Sequence, residues 1–450
     1  MKTSSALAIG IFVLFSSVSF SKNIEVKLWL NKSQDQLFVR GDRLFIHVET
    51  KQDAYLQIVY HDASNKSHLI FPNSGSSPDG KIRGNQVVTL GEGVDKDGFE
   101  FEIDEPFGAE MIRVYACSKP LPKPKGKLTE NGVVEISSSL DALNVFYHDA
   151  ASKAKAEFTD ATVLLKTAEK NSQRSPDAET KTIDVSKDVT ATSAKPRVFG
   201  LVIGVSQYQS PKISALKYAD ADARIFSDFL QSKDGVGIPS TQMRFLVNEQ
   251  ATRAKILDAM ESFLTQTTKK DMIIIYIACH GLTSMKSNAT YFLNYDADLM
   301  DLPNTAVDQS FLTNILTQKV QAGKVVFFID ACHGGGLGLT GVRLRGSTSF
   351  LSSKFQLEIM ANKNSTAFFS AARAMEQSVE GPQWGGGHGV FTHYVMEGLR
   401  KHGDANKNGI VTIDELADYV SMKVKEDTGG RQHPELKGYF DNELTLSVLR

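Results

Sequence analysis

The sequence predicts an α/β sandwich with a mostly parallel sheet, preceded by a β-sandwich-like domain. Three observations carry that expectation. The segments FGLVIGVSQY, DMIIIYIACHG and KVVFFIDACHG are near-continuous apolar runs ending in polar residues or glycine, as strands covered on both faces do. Leu216, Ala219, Ala223, Phe226 and Leu230 lie between the first two runs at helical spacing, so strands alternate with helices. Before residue 170 the pattern is instead short and alternating, and 450 residues exceed what one core ordinarily serves.

In chain order, residues 1–21 carry Lys2, the apolar stretch Ala6–Phe15 and the small-x-small triplet Ser19-Phe20-Ser21. That is the pattern of a secretory signal peptide, with an apolar run too short to span a bilayer. Export to the periplasm or the medium is expected, with no membrane contact after cleavage. Residues 22–170 read as the β-rich domain, because IEVKLWL, RLFIHVET, AYLQIVYHD, SHLIFPN, FEFEID and MIRVYAC are separated by Gly, Asp, Asn, Ser and Pro clusters. One helix is expected near SSLDALNVFYHDA and a last strand near EFTDATVLLKT. Residues 171–196 are polar, lack an apolar period and end in proline, which makes them a linker. Residues 197–450 hold the α/β domain, with further helices around Lys255–Phe263, FTHYVMEGL and IDELADYVSMKVK and a fourth strand in TAFFSAA.

The charge balance excludes one class of partner. Fifty basic residues stand against 52 acidic ones, a formal net charge of -2, which leaves no global field to attract nucleic acid. Three cysteines, Cys117, Cys279 and Cys332, make a poor disulfide framework for an exported chain, since one thiol is always left over. Cys117 ends the apparent strand RVYAC and reads as a packed structural thiol.

The tetrapeptide ACHG occurs twice, at residues 278–281 and 331–334, each time after an apolar run. Ligands of open α/β sheets collect at the carboxyl ends of the strands, so two thiols and two imidazoles are candidates for one site. A zinc site of Cys279, His280, Cys332 and His333 is one reading, although structural zinc sites normally use spaced pairs. A disulfide between Cys279 and Cys332 is another, and needs their Cα atoms within about 7 Å. A thiol-redox role is a further one, without the C-x-x-C motif that usually carries it. The last is a cysteine–histidine dyad taking one residue from each copy. Only the second copy has an acid before it, Asp330, and the glycines Gly334-Gly335-Gly336 after it, which let a substrate backbone approach closely.

An apolar strand ending in His280-Gly281, followed some fifty residues later by one ending in Asp330-Ala331-Cys332-His333-Gly334, resembles the caspase and metacaspase family of cysteine endopeptidases, its bacterial members in particular. VIGVSQY, LKYADADA and GHGVFTHYVMEGL extend the resemblance over residues 197–450. It implies a caspase-like fold, protein or peptide substrates, His280 as general base, Cys332 as nucleophile and backbone N–H groups of Gly281 and Cys332 as oxyanion donors. No cofactor is required for that chemistry. Cys279 stands where the family usually has Gly or Ser, and Cys-His-Gly-Gly replaces its common Cys-His-Ser-Gly. The N-terminal half resembles a β-rich domain of unknown function found beside bacterial caspase-like domains, through GDRLFIHVETKQDAYLQIVYHD, LIFPN and EPFGAEMIRVYA.

Asp330 and Asp222 match the acidic positions of the metacaspase pocket for the residue before the scissile bond, and two carboxylates favour Arg or Lys there. An acid in a first helical turn is also an ordinary capping residue, and Asp222 carries both readings. Self-processing is expected at basic residues after the nucleophile (Arg343, Arg345, Lys354) or around the linker (Arg174, Lys181, Lys187, Lys195). A second site lies in GDANKNGIVTIDEL, where Asp404, Asn406, Asn408, Gly409, Ile410, Thr412 and Glu415 fall at EF-hand loop positions, so Ca²⁺ is expected there, stabilising the flanking helices. The alternative to an exported cysteine endopeptidase is a catalytically silent caspase-like binding module.

Overall fold

The computed structural model of the protein describes residues 24–33, 35–73, 77–93, 100–129, 133–170, 196–284, 289–331, 351–373 and 376–449. The segment expected to be a signal peptide, the expected linker through residue 195, Cys332, His333, the glycines that follow them, Arg343 and Arg345 lie outside the described residues.

Alternation of side chains across the pleat divides the N-terminal domain into two sheets. Its elements are β1 (Val26–Leu30), β2 (Phe38–Val39), β3 (Ile46–Thr50), β4 (Ala54–His61), β5 (Ser67–Phe71), β6 (Lys81–Ile82), β7 (Val87–Leu90), β8 (Ala109–Cys117), β9 (Gly126–Leu128), β10 (Val134–Ile136), α1 (Leu140–Lys153) and β11 (Phe158–Ala168). Among the described residues these form a three-stranded sheet, β1-β3-β7, and an eight-stranded one, β2-β11-β8-β4-β5-β10-β9 with β6 paired to β4. Ile46, Val48, Leu56, Ile58, Ile112 and Val114 pack between them, as a sandwich requires. The larger sheet is also covered on its other face, where Val59, Met111 and Tyr115 meet Leu140, Leu143 and Tyr147 of α1. Strand β8 is therefore buried along its whole length. Helix α1 starts at Ser139, whose side chain accepts the N–H of Ala142 and so satisfies one of the donors a helix end leaves open.

The second domain runs β12 (Val198–Gly204), α2 (Ala219–Gln231), β13 (Met243–Val247), α3 (Arg253–Asp258), β14 (Met272–Ala278), β15 (Gly281–Thr283), β16 (Thr290–Phe292), α4 (Leu302–Thr305), β17 (Val307–Asp308), α5 (Gln309–Asn314), β18 (Lys324–Ile329), α6 (Ser353–Asn362), β19 (Ser365–Ser370), β20 (Glu380–Gly381), β21 (His388–Gly389), α7 (Val390–Glu397), β22 (Ile410–Thr412), α8 (Ile413–Asp427), β23 (Glu435–Tyr439) and β24 (Thr445–Val448). Among the described residues its main sheet has six strands in the order β13-β12-β14-β18-β19-β23. All neighbours are parallel except β19 and β23, which is the mostly parallel sheet expected. Ile273, Ile275 and Ile277 turn to a core with Leu312, Phe355 and Ile359. Ile274, Tyr276 and Ala278 turn to the opposite core with Phe226, Phe391 and Leu416. Helices thus cover both faces, and that double coverage makes the strand sequences apolar without alternation.

Some boundaries differ from the sequence pattern. The helix expected over 255–263 is α3 continued by a wider π turn, Ala259–Phe263. Leu216 packs against the core from outside α2. Lys354 sits inside helix α6 rather than in a loop, so it is a poor processing site. Among the described residues no helix is long and apolar enough to cross a membrane.

Two cysteines are core residues. Cys117 is buried at the end of β8, and Cys279 packs among Ile203, Ile277, Phe292 and Leu312. Burial pushes the Cys279 thiol up to about 12 and raises that of Cys117 as well, so neither supplies thiolate at neutral pH. In a Cys332→Ala protein, a thiol reagent should therefore find no rapidly reacting group in the native state and two after denaturation. Fast native labelling would show that one of these sulfurs is accessible.

Candidate active site

The site begins with two strand ends. Strands β14 and β18 pair in parallel with Ile277 opposite Ile329, and the N–H of Asp330 donates to the Ile277 carbonyl at 2.9 Å. Position 280 follows Ile277, and position 332 follows Ile329, by the same count of three. The nucleophile expected at Cys332 lies outside the described residues, whereas His280 is described in full.

His280 is held from three sides. Its N–H donates to the Tyr208 hydroxyl at 2.9 Å, its carbonyl accepts from the N–H of Leu293 at 2.9 Å, and its ring stacks on Tyr208 at 5.4 Å and 23°. Nε2 lies 2.9 Å from the Ser214 carbonyl. A carbonyl only accepts, so Nε2 carries the hydrogen and Nδ1 keeps its lone pair. Nδ1 is buried and has no partner among the described residues. Burial lowers the imidazole pKa from its ordinary value against the opposing Ser214 carbonyl, which leaves a neutral ring with an open acceptor at neutral pH. Gly281 follows as the first residue of β15, opposite Phe292. Neither Tyr208 nor Ser214 was singled out from sequence. Tyr208 does end the VIGVSQY segment, but Ser214 acts through its backbone and leaves no side-chain signature.

Asp222 and Asp330 lie together. Both are buried and line one hollow with Leu216, Ser378, Glu380 and Gly389. Asp330 accepts from Thr392 Oγ1 at 2.6 Å and Ser378 Oγ at 2.9 Å. The Thr392 hydroxyl, having donated there, accepts from the Tyr276 hydroxyl at 2.7 Å. Asp222 accepts from His388 Nδ1 at 2.7 Å and from the N–H of Gly389 at 3.0 Å. Its carboxylate is thus directed to β21, while Asp222 remains an acid in the first turn of α2. Burial, with the nearby Asp330 charge adding to it, raises Asp222 to about 7 despite the His388 and Gly389 bonds. Burial likewise raises Asp330. Glu380, a third acid missed from sequence, accepts from the N–H groups of Lys217 and Tyr218. Gly389 permits the arrangement, since a Cβ there would lie 2.6 Å from Asp330 Oδ2 and 3.1 Å from Asp222 Oδ2.

The loop ahead of α8 folds back on its own side chains. Asp404 accepts from the N–H groups of Asn408 and Gly409, Asn406 from that of Asn408, and Asn408 from that of Ile410. Thr412 and Glu415 form a reciprocal capping box at the start of α8. Positive φ angles at Lys407 and Gly409 make the turn. Among the described residues no group of three or more His, Cys, Asp or Glu is placed to hold a metal; the oxygen donors of this loop are two carboxylates, amides, a hydroxyl and the Ile410 carbonyl.

Family models agree with this architecture. The family model described as caspase domain matches residues 197–442, and a domain of unknown function, DUF4384, matches residues 38–120. Similar solved structures include a structural-genomics protein from Geobacter sulfurreducens, with 17% identity over 57% of this chain and 100% of that one, at a TM-score of 0.40. Caspase-1 from Spodoptera frugiperda is another, with 15% identity over 60% of this chain and 97% of that one, at a TM-score of 0.38. No curated protein matches the chain. With the caspase-domain match spanning more than half of its residues, the chain belongs to the caspase family of cysteine peptidases.

Proposed function

We propose that the protein is an exported cysteine endopeptidase that cleaves after Arg or Lys, with Cys332 as nucleophile and His280 as base. The observation that carries this reading is the state of His280: Nε2–H committed to the Ser214 carbonyl and a buried Nδ1 with no partner among the described residues. In the proposed reaction Nδ1 takes the thiol proton of Cys332 and the sulfur adds to the scissile carbonyl carbon. The oxyanion is met by the N–H groups of Gly281 and Cys332, each worth about 10²–10³ in rate at such sites. His280 then gives its proton to the leaving amine as the C–N bond breaks, and afterwards deprotonates the water that hydrolyses the thioester. Export rests on the character of residues 1–21.

Fluorogenic peptides with Arg or Lys before the cleaved bond should be turned over by the wild type and by Cys279→Ala, but not by Cys332→Ala or His280→Ala. Faster cleavage after Asp than after Arg would reject the specificity, and an inactive wild type would favour the silent binding module. Intact-mass measurement of the same active preparation reads self-processing, for which Arg174, Lys181, Lys187 and Lys195 around the linker and Arg343 and Arg345 are the proposed positions.

The pocket reading has its own pH signature. Asp222, raised to about 7, is mostly neutral below that pH and ionised above it, so attraction for a cation grows as pH rises. For a group titrating there the ionised fraction climbs roughly tenfold between about pH 6 and about pH 8. The ratio of kcat/KM for an Arg peptide to that for its uncharged citrulline analogue should rise over this window. A flat ratio would remove Asp222 from the pocket. Gly389→Ala puts a methyl against both acids and should lower kcat/KM for Arg peptides by about 10²-fold, while leaving the rate of Cys332 alkylation by iodoacetamide unchanged.

We also propose Ca²⁺ binding at Asp404, Asn406, Asn408, Ile410, Thr412 and Glu415, which would tie α8 to the turn before it. Hard oxygen donors at EF-hand spacing support it. Glu415→Gln keeps a residue suited to the capping box but removes one of the two carboxylates, so calorimetry should lose the Ca²⁺ heat while the melting temperature without Ca²⁺ stays put. Equal heats in both proteins would dismiss the site.

A further inference from the structure

The two domains share a core. Leu357 and Met360 of α6 and Tyr439 of β23 belong to the same apolar cluster as Met111 and Leu164 of the eight-stranded sheet and Leu140 of α1. Contacts between domains of one chain are ordinarily modest and polar; a common core is a different kind of junction. Charged groups from the N-terminal domain then grip α6 at its two ends. Asp141, in the first turn of α1, accepts from the N–H and Oγ of Ser353 at 3.2 and 2.9 Å. Lys166 of β11 donates to the carbonyl of Lys363, the C-cap of α6, at 2.7 Å. An anion at the start of a helix and a cation at its end both complement its dipole. Lys166 also lies 5.0 Å from the Tyr439 ring centroid, and burial lowers its pKa to about 8, so it is a desolvated interface group.

The outer strand of the peptidase sheet is covered in the same way. Arg373 donates to Thr159 Oγ1 of β11 at 2.9 Å and lies 3.3 Å from Glu435 of β23, which Lys437 meets at 2.5 Å. Burial opposes ionisation of Glu435, but Lys437 and Arg373 outweigh it and hold the carboxyl below its usual range. A sheet edge left open pairs readily with another copy; here the N-terminal domain packs against it.

We propose that the N-terminal domain is a permanently docked positioning subunit of the peptidase, holding α6 through Asp141 and Lys166, so that cutting the linker leaves a two-fragment complex rather than a released peptidase. Phe355 and Ile359 of α6 pack in one core with Ile329 and Ala331, so a shift of α6 bears on the strand end that precedes the proposed nucleophile. Docking does not depend on the peptidase reading, whereas the kinetic consequence rests on it.

The test uses the full chain with a site-specific protease sequence placed within residues 176–190. After complete cutting, both fragments should co-elute in size-exclusion chromatography with light scattering at the mass of one uncut chain. Separate fragments, or a peptidase fragment eluting as its own dimer, would overturn the docking. In the uncut chain, Asp141→Ala and Lys166→Met should each lower kcat for an Arg peptide by about tenfold with KM nearly unchanged, and Lys166→Arg should restore it. Unchanged kcat in both variants, with thermal melts showing them folded, would overturn the positioning role. An uncut parent without turnover would sink the peptidase reading and the positioning role with it, and co-elution alone would then decide docking.

Discussion

Parallel pairing of β14 with β18 is the constraint from which the site follows. Both strands are covered on each face by helices, so their register is specified by two cores at once, and a slip of one residue would exchange every inward and outward side chain. Ile329 lies in the core with α5 and α6, while Asp330 turns to the other side and meets Thr392 of α7. Slipped by one, Asp330 would face the first core, among Phe355, Ile359 and Leu312, without a donor. A buried carboxyl in that position costs far more than the sheet bonds regained. Register, pocket and strand ends are therefore one structural decision.

The hollow around Asp222 and Asp330 concentrates unfavourable charge. Each acid is raised by burial, and Asp222 is raised further by its neighbour. What keeps them in place is a set of donors: Ser378 in a loop, Thr392 on α7, and His388 and Gly389 on β21, with Tyr276 of β14 behind Thr392. Such a network is tolerable only when its members are satisfied. A substrate cation in the proposed pocket would add a positive charge shared between the two carboxylates.

The fold was legible where physics writes itself into local pattern. Runs such as MIIIYIA and KVVFFI state double coverage, and the position of ACHG after them states which end of the sheet matters. Strands β13 and β23 were not legible, because they end the sheet and carry polar residues such as Arg244, Glu435 and Lys437. The acids Asp222 and Asp330 could be named from motif positions, but Glu380 and His388 reach the pocket from a hairpin whose sequence has no periodicity. Ser214 was beyond reach for a deeper reason: it offers a backbone carbonyl, and only the folded chain decides which carbonyl stands beside an imidazole. The junction with the N-terminal domain was hidden likewise, since Asp141 and Lys166 read as ordinary surface charges until the partner helix is in place.

The repeated tetrapeptide shows why residue type alone does not assign chemistry. Ala278 directly follows the register residue Ile277, whereas Asp330 separates Ile329 from Ala331, so the two copies are offset by one position along the sheet. Cys279 and Ala331 consequently belong to the same apolar core, and the first cysteine is spent on packing, its thiol raised beyond use. The histidine of the first copy and the cysteine of the second thus each come three residues after the paired isoleucines. A single inserted acid thus turns two identical peptides into unlike contributors: the first offers an imidazole whose Nε2–H is tied to Ser214 and whose Nδ1 has no partner among the described residues, and the second offers the sulfur proposed to meet it. Without that inserted acid both cysteines would follow their paired isoleucines by the same count of two.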